Sequence, residues 1–218
     1  MKKFELTSEF VTFLGKKLFR IKALVSFGDV AEGELGGFIE RENNLDQYGD
    51  AWVCGNARVY GNAQVSGDAR VCGDARVYGD AQVSGDAWVY GDAQVSGDAW
   101  VCGNARVCGN AWVSGDARVC GNAWVCGNAR VYGDAQACGD AWVQNCRDYS
   151  ATSCFGSENR TTTFFRTKDG GISVRCGCFY GTLREFREKV KERHGDSRLA
   201  KEYLMLADLM EFRLSKDE

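Results

Sequence analysis

Ala63-Gln64-Val65-Ser66-Gly67-Asp68 is followed at once by Ala69-Arg70-Val71-Cys72-Gly73-Asp74, and the sentence A-x-V-x-G-[D/N] runs on without insertion. Sixteen consecutive hexapeptides of this kind occupy residues 51–146. Ala and Val stand two apart, so on an extended backbone they face one side while the residue between them faces the other. Gly followed by Asp or Asn then interrupts the strand with residue types that accept tight, positive-φ corners. Short strands joined by identical corners must coil. Three hexapeptides per turn give a triangular prism with an 18-residue period and an interior of stacked Val and Ala columns. A single coil cannot bury its apolar side, whereas five or so stacked coils share one core. Ala137, at a Val site, and Gln144-Asn145-Cys146, at the last corner, place the end of the regular region there.

The pattern resembles the left-handed parallel β-helix of the hexapeptide-repeat superfamily. That repeat has an aliphatic residue at one site and a small residue four positions later, and Val53 with Ala57, Val59 with Ala63 and Val65 with Ala69 match it. The left hand is implied by the resemblance alone, since crossover statistics favour the opposite hand. The expected fold is mainly β: a left-handed parallel β-helix with an N-terminal cap and a small C-terminal α+β module.

Residues 1–50 read as the cap with one irregular first coil. Phe19 to Val25 alternates as a strand should, Glu34 to Ile39 is turn-rich, and Ile39 and Leu45 precede Ala51 by twelve and six residues. Residues 147–218 change composition. Thr161 to Arg166 and Ile172 to Cys176 flank Lys168-Asp169-Gly170-Gly171 as a β-hairpin would. Thr182-Leu183-Arg184-Glu185 is a capping box opening a helix with Leu183, Phe186 and Val190 on one face, ended by Gly195. A second helix carries Leu199, Tyr203, Leu206, Leu209, Met210 and Phe212.

The order of cap, repeats ending in Gly139-Asp140-Ala141, and the tail Cys176-Gly177-Cys178-Phe179-Tyr180-Gly181-Thr182 is similar to a phage- and prophage-associated group of hexapeptide proteins, named as transferases on fold grounds and without an established activity. That resemblance implies a bacterial-host cytoplasm and a host protein as partner, including a component of host defence. It implies no mechanism. A net charge of -3 and a pI near 5.4 argue against a general polyanion binder. No apolar run is long enough for a bilayer span, and no signal-peptide core follows Met1-Lys2-Lys3. Eleven cysteines without a secretion signal read as reduced thiols rather than as a disulfide framework.

Acyltransferases of the superfamily use a His base and related carbonic anhydrases hold a metal with three. This chain has one, His194, next to Gly195 at the end of a helix, where it complements the dipole. Enzyme activity is therefore not expected, and no cofactor is; an acyltransferase with an atypical base is the alternative. Corner rows such as Asp50, Asp68, Asp86, Asn104, Asn122 and Asp140 read as turn residues rather than as calcium or acid–base sites. Cys102, Cys120 and Cys138 stack at the 18-residue period, as do Cys54 with Cys72 and Cys108 with Cys126. Coils about 4.8 Å apart bring such pairs within reach of a disulfide or a thiophilic metal. Ser66 and Tyr60 at the same site point instead to a tolerant position. Cys146, Cys154, Cys176 and Cys178 form a weak candidate for a four-thiolate metal site.

The outward mid-strand site carries every Trp. One face holds Trp52, Arg70, Trp88, Arg106, Trp124 and Trp142; the second holds Arg58, Arg76, Gln94, Trp112 and Arg130; the third holds Gln64, Gln82, Trp100, Arg118 and Gln136. Trp and Arg are enriched in interface hot spots, and their alternation allows cation–π stacking. The competing reading is that Arg and Gln stems cover the rings within one subunit. The expectation is an interface in a non-catalytic, self-associating binding protein, a homotrimer by resemblance to the superfamily. A nucleotide or single-stranded nucleic-acid binder is a further alternative, opposed by nine Asp against six Arg in the repeats.

Overall fold

The computed structural model describes residues 2–215. Each hexapeptide contributes one two-residue rung, from Trp52–Val53 to Trp142–Val143. Rungs pair in parallel with those one period away, as Trp88 does with Arg70 and Arg106. Trp88 donates its backbone N–H to the Ala105 carbonyl and Tyr90 to the Val107 carbonyl, each at 2.9 Å, and the same two bonds recur down the stack. Three parallel sheets result, and each holds the rung set that the 18-residue period assigns to one prism face. The molecule is a mainly β, parallel β-solenoid of about six turns. Its inward Ala and Val residues are fully or almost fully buried and form one continuous core.

The corners depend on glycine for a reason that varies along the stack. Gly97 has φ +68°, and a Cβ there would lie 2.9 Å from the Gly115 nitrogen of the next coil; at Gly133, with φ +63°, nothing lies within 4 Å. Gly133→Ala is expected to lose only the left-handed-region cost of about 1–2 kcal/mol. Gly97→Ala should lose at least about 1 kcal/mol more, because the next coil's backbone has to move. Urea midpoints of the two variants measure the difference; equal losses would mean that the coils are not packed at this distance.

The N-terminal cap extends the second-face sheet. Strands β1 (Phe4–Phe13) and β2 (Lys16–Ala23) form an antiparallel hairpin, β2 pairs with β3 (Leu35–Ile39), and β3 runs parallel to the Arg58–Val59 rung. The stretch read as turn-rich is thus mostly strand, and β1 was not anticipated; its outer side is largely exposed, which weakens its apolar alternation. The first coil is irregular as expected. Ile39 and Leu45 pair with Val59 and Val65, twenty residues on, and residues 46–48 absorb the surplus before the regular period begins.

The stack has chemically distinct ends. Because most bonds between coils run from N–H groups of one coil to carbonyls of the following one, the first coil is left mainly with free carbonyls and the last mainly with free N–H groups. The cap brings donors: Lys3 Nζ reaches the carbonyls of Gly49 and Ala51 at 3.1 and 2.9 Å, and Asn44 Nδ2 those of Gly61 and Ala63 at 3.0 and 2.8 Å. The other end brings acceptors: Asp148 Oδ2 takes the N–H groups of Gln144 and Asn145, both at 2.9 Å, and Thr163 Oγ1 takes that of Gln136 at 3.0 Å. Buried backbone groups need such partners, and the closed ends also block edge-to-edge pairing.

After the last rung come β4 (Tyr149–Phe155), β5 (Arg160–Arg166), β6 (Ile172–Cys176) and β7 (Phe179–Thr182), a four-stranded antiparallel sheet around the expected hairpin. Helices α1 (Leu183–His194) and α2 (Arg198–Leu214) follow. Thr182 and Glu185 close the capping box, and Gly195 at φ 55° ends α1. Phe164, Val174, Phe186 and Val190 meet α2 through Ala200, Tyr203, Ala207, Met210 and Leu214. Of the apolar residues that the second helix carries, Leu209 and Phe212 are exposed. Among the described residues, no helix is long and apolar enough to cross a membrane.

Candidate binding surface

The six tryptophans share one motif position and meet three different surroundings. Trp52 is buried at 1 % exposure beneath the cap, with Phe27 and Phe4 edge-on at 5.4 and 6.5 Å. Arg70, the next residue on that face, is paired with Asp29 of the cap. These two residues, expected at an interface, are occupied within the chain. The Trp88–Arg106–Trp124 stretch below them is open: Trp88 is 47 % exposed, and the Arg106 guanidinium stacks 5.8 Å from its ring and 5.7 Å from that of Trp124. Trp124 meets Trp142 edge-on at 4.4 Å, and Lys168 lies 5.9 Å over Trp142.

The other faces repeat the arrangement once each. Arg130 stacks 5.8 Å from Trp112 on the second face and Arg118 5.4 Å from Trp100 on the third. The rings therefore do lie against Arg within one subunit, yet Trp88, Trp100 and Trp112 all keep a third or more of their surface in water. Phe13 of the cap sits over Arg58 and Arg76 at the top of the second face. On the third face Gln64, Gln82, Trp100 and Arg118 form an outward row that is uninterrupted among the described residues, and at its foot Arg175 of β6 reaches Gln136, at 3.2 Å.

The lower half of the first face is one wall of a cleft of about 1430 Å³, the opposite wall being the β5–β6 turn and the start of α1. Arg106, Trp124, Trp142, Lys168 and Arg184 line it together with Asp140, Asp169, Glu185 and Glu211. The Glu185 carboxyl is held below its ordinary range by the Thr182 backbone N–H and hydroxyl, and Asp169 by the Thr167 hydroxyl and the Gly171 N–H. Both are poor proton acceptors as a result. Sequence reasoning missed this cleft, because it arises from the angle at which the C-terminal sheet docks. His194 ends α1, away from the cleft, with its ring stacked 5.7 Å from Tyr203.

The cysteine expectations divide. Cys54 and Cys72 are joined by a disulfide across adjacent coils, with Cα atoms 4.7 Å apart, which corrects the expectation of reduced thiols for this pair; the other nine are free. The four-thiolate candidate is not assembled. Cys146, Cys154, Cys176 and Cys178 do not converge, and among the described residues no three His, Cys, Asp or Glu side chains are placed to hold a metal ion. Corner Asn and Asp side chains bond along the stack, as Asn62 Nδ2 does to Asp80 Oδ1 at 2.8 Å.

The family model of the YdcK beta solenoid repeat matches residues 51–67, 63–79, 69–85, 81–97, 99–115 and 123–139. No curated protein matches the chain. The matched segments fall within the stack of rungs, and the chain carries a β-solenoid repeat.

Proposed function

We propose that this protein is a non-catalytic, self-associating binding scaffold. Three copies pack through the third prism face, and the first face with its cleft takes a protein partner, a host protein given the phage-like order of cap, repeats and tail. The observation that carries the self-association is the uninterrupted third face, where half-exposed Trp100 lies against Arg118. A second prism needs a flat surface to lie on. The cap and Lys168 overhang the first face, and Phe13 overhangs the second. The cleft offers aromatic rings between charges of both signs, which suits a polypeptide better than a polyanion. Of its carboxylates, Glu185 and Asp169 are held by hydrogen bonds and Glu211 by Arg187, and His194 lies outside it, which favours binding over general-base chemistry.

Light scattering on wild type, Trp100→Ala and Trp88→Ala/Trp124→Ala tests this. Wild type is expected at three times the 24.0 kDa chain mass, with Trp100→Ala falling to a single chain and the first-face double variant remaining trimeric. Loss of the trimer in the double variant alone would move the seam to the first face. A monomeric wild type would end the self-association reading.

A further inference from the structure

The disulfide between Cys54 and Cys72 joins residues that directly follow paired rungs, Trp52–Val53 with Arg70–Val71, and Cys54 donates its N–H to the Val71 carbonyl at 2.8 Å. Cys120 and Cys138 stand in the same backbone relation. They follow Arg118–Val119 and Gln136–Ala137, which pair in the same parallel register, and Cys120 donates to the Ala137 carbonyl at 3.0 Å. The two thiols are neighbours in the column, in the field of the Arg175 guanidinium from β6 and, for Cys120, of Arg118 from the rung itself. Cys102 lies one coil further along the same column. All three are partly exposed.

We infer that Cys120 and Cys138 are a thiol–disulfide exchange site, at which a low-molecular-weight disulfide such as oxidised glutathione closes a second cross-link between coils. The Cys120 thiolate attacks one sulfur of the small disulfide, forming a mixed disulfide and expelling one glutathione thiolate. Cys138 then attacks the Cys120 sulfur, loses its proton to solvent and expels the second. Two protein thiols are oxidised and one disulfide is reduced to two thiols, so atoms and electrons balance. The direction of attack follows from the surroundings. The neighbouring Cys138 thiol, with Arg175 and Arg118, pulls the Cys120 thiol down to about 7, and the same neighbour relation pushes Cys138 up. Cys108 and Cys126 share the spacing, but burial raises Cys126 to about 11 and Cys108 is buried against Trp124 Nε1. The cross-link would tie the coil that receives Thr163 and Arg175 to the coil before it.

The test equilibrates the full chain with oxidised and reduced glutathione, traps thiols with iodoacetamide and reads masses and fragmented peptides. The nine free thiols are expected to fall to seven, with the new link between Cys120 and Cys138. Cys120 should alkylate at least about 10-fold faster than Cys126 at pH 7. In Cys138→Ser, a residue the same column holds at Ser66 and Ser84, the Cys120 rate midpoint should move to higher pH. Free Cys120 and Cys138 where Cys54–Cys72 is closed would overturn the proposal. So would a persistent glutathione adduct on Cys120, or a dominant link to Cys102.

Discussion

Trp52→Ala is expected to cost about 3–5 kcal/mol of stability, the range for removing a large buried aromatic, while Trp88→Ala costs less than about 1 kcal/mol. The two residues fill the same site of the repeat on the same face. Trp52 nevertheless lies among Phe4, Phe27 and the cap strands, so close that a Cβ on Gly36 would come within 2.7 Å of its ring. Trp88 has only its own face beneath it. The Trp52 Nε1 is buried without a hydrogen-bond partner among the described residues, an arrangement that itself costs about 1–3 kcal/mol. Trp52→Phe removes that donor and keeps most of the ring, so it should lose less than half as much as the Ala variant. Urea midpoints give the ranking. Because a solenoid can open from one end, hydrogen exchange should show deprotection of β1 to β3 and the first coil before the middle coils. A Trp52→Ala variant as stable as wild type would mean that the cap does not close on the core.

Val101→Asp should be larger still, enough to unfold a domain of ordinary stability at neutral pH, about 5–15 kcal/mol. Val101 is fully buried and stacked between Val83 and Val119, and the surrounding columns are Ala and Val. A carboxylate there has no donor and loses its water. Burial raises its folded pKa above the unfolded value, so the native state binds the proton more tightly. Stability is then least at neutral pH and partly recovers as pH falls through that raised value. Thermal melts from pH 7 to pH 4 check the sign; no recovery on acidification would mean that the coil rearranges to bring the carboxylate to water. Cys102→Ser, one residue further on at a corner, should shift stability by less than about 0.5 kcal/mol.

These contrasts mark how far the sequence was legible. The inward and outward sides of every rung followed from the two-residue alternation, and vertical neighbours followed from the 18-residue period. The cysteine column showed which thiols face each other but not which pair is bonded, since Cys54–Cys72 and Cys120–Cys138 read alike. In α2, apolar residues occur on more than one side, so their spacing alone did not choose the stripe of Ala200, Tyr203, Ala207, Met210 and Leu214 over Leu209 and Phe212. The contacts with α1 and β5 made that choice. That Trp52 and Arg70 lie beneath the cap was not legible, because nothing in a repeat says which copy the cap covers.

The sequence by itself determined the prism: its period, its core columns, its corners and the order of residues on each face. All of these rest on local geometry, repeated sixteen times between residues only one coil apart. The tertiary structure decided which rungs are covered and which stay open. It also closed the two ends with opposite chemistry, Lys3 and Asn44 for free carbonyls and Asp148 and Thr163 for free N–H groups. Those features depend on where non-repeating segments dock. That docking is set by side chains distant in sequence meeting edges whose hydrogen-bonding groups would otherwise be buried alone.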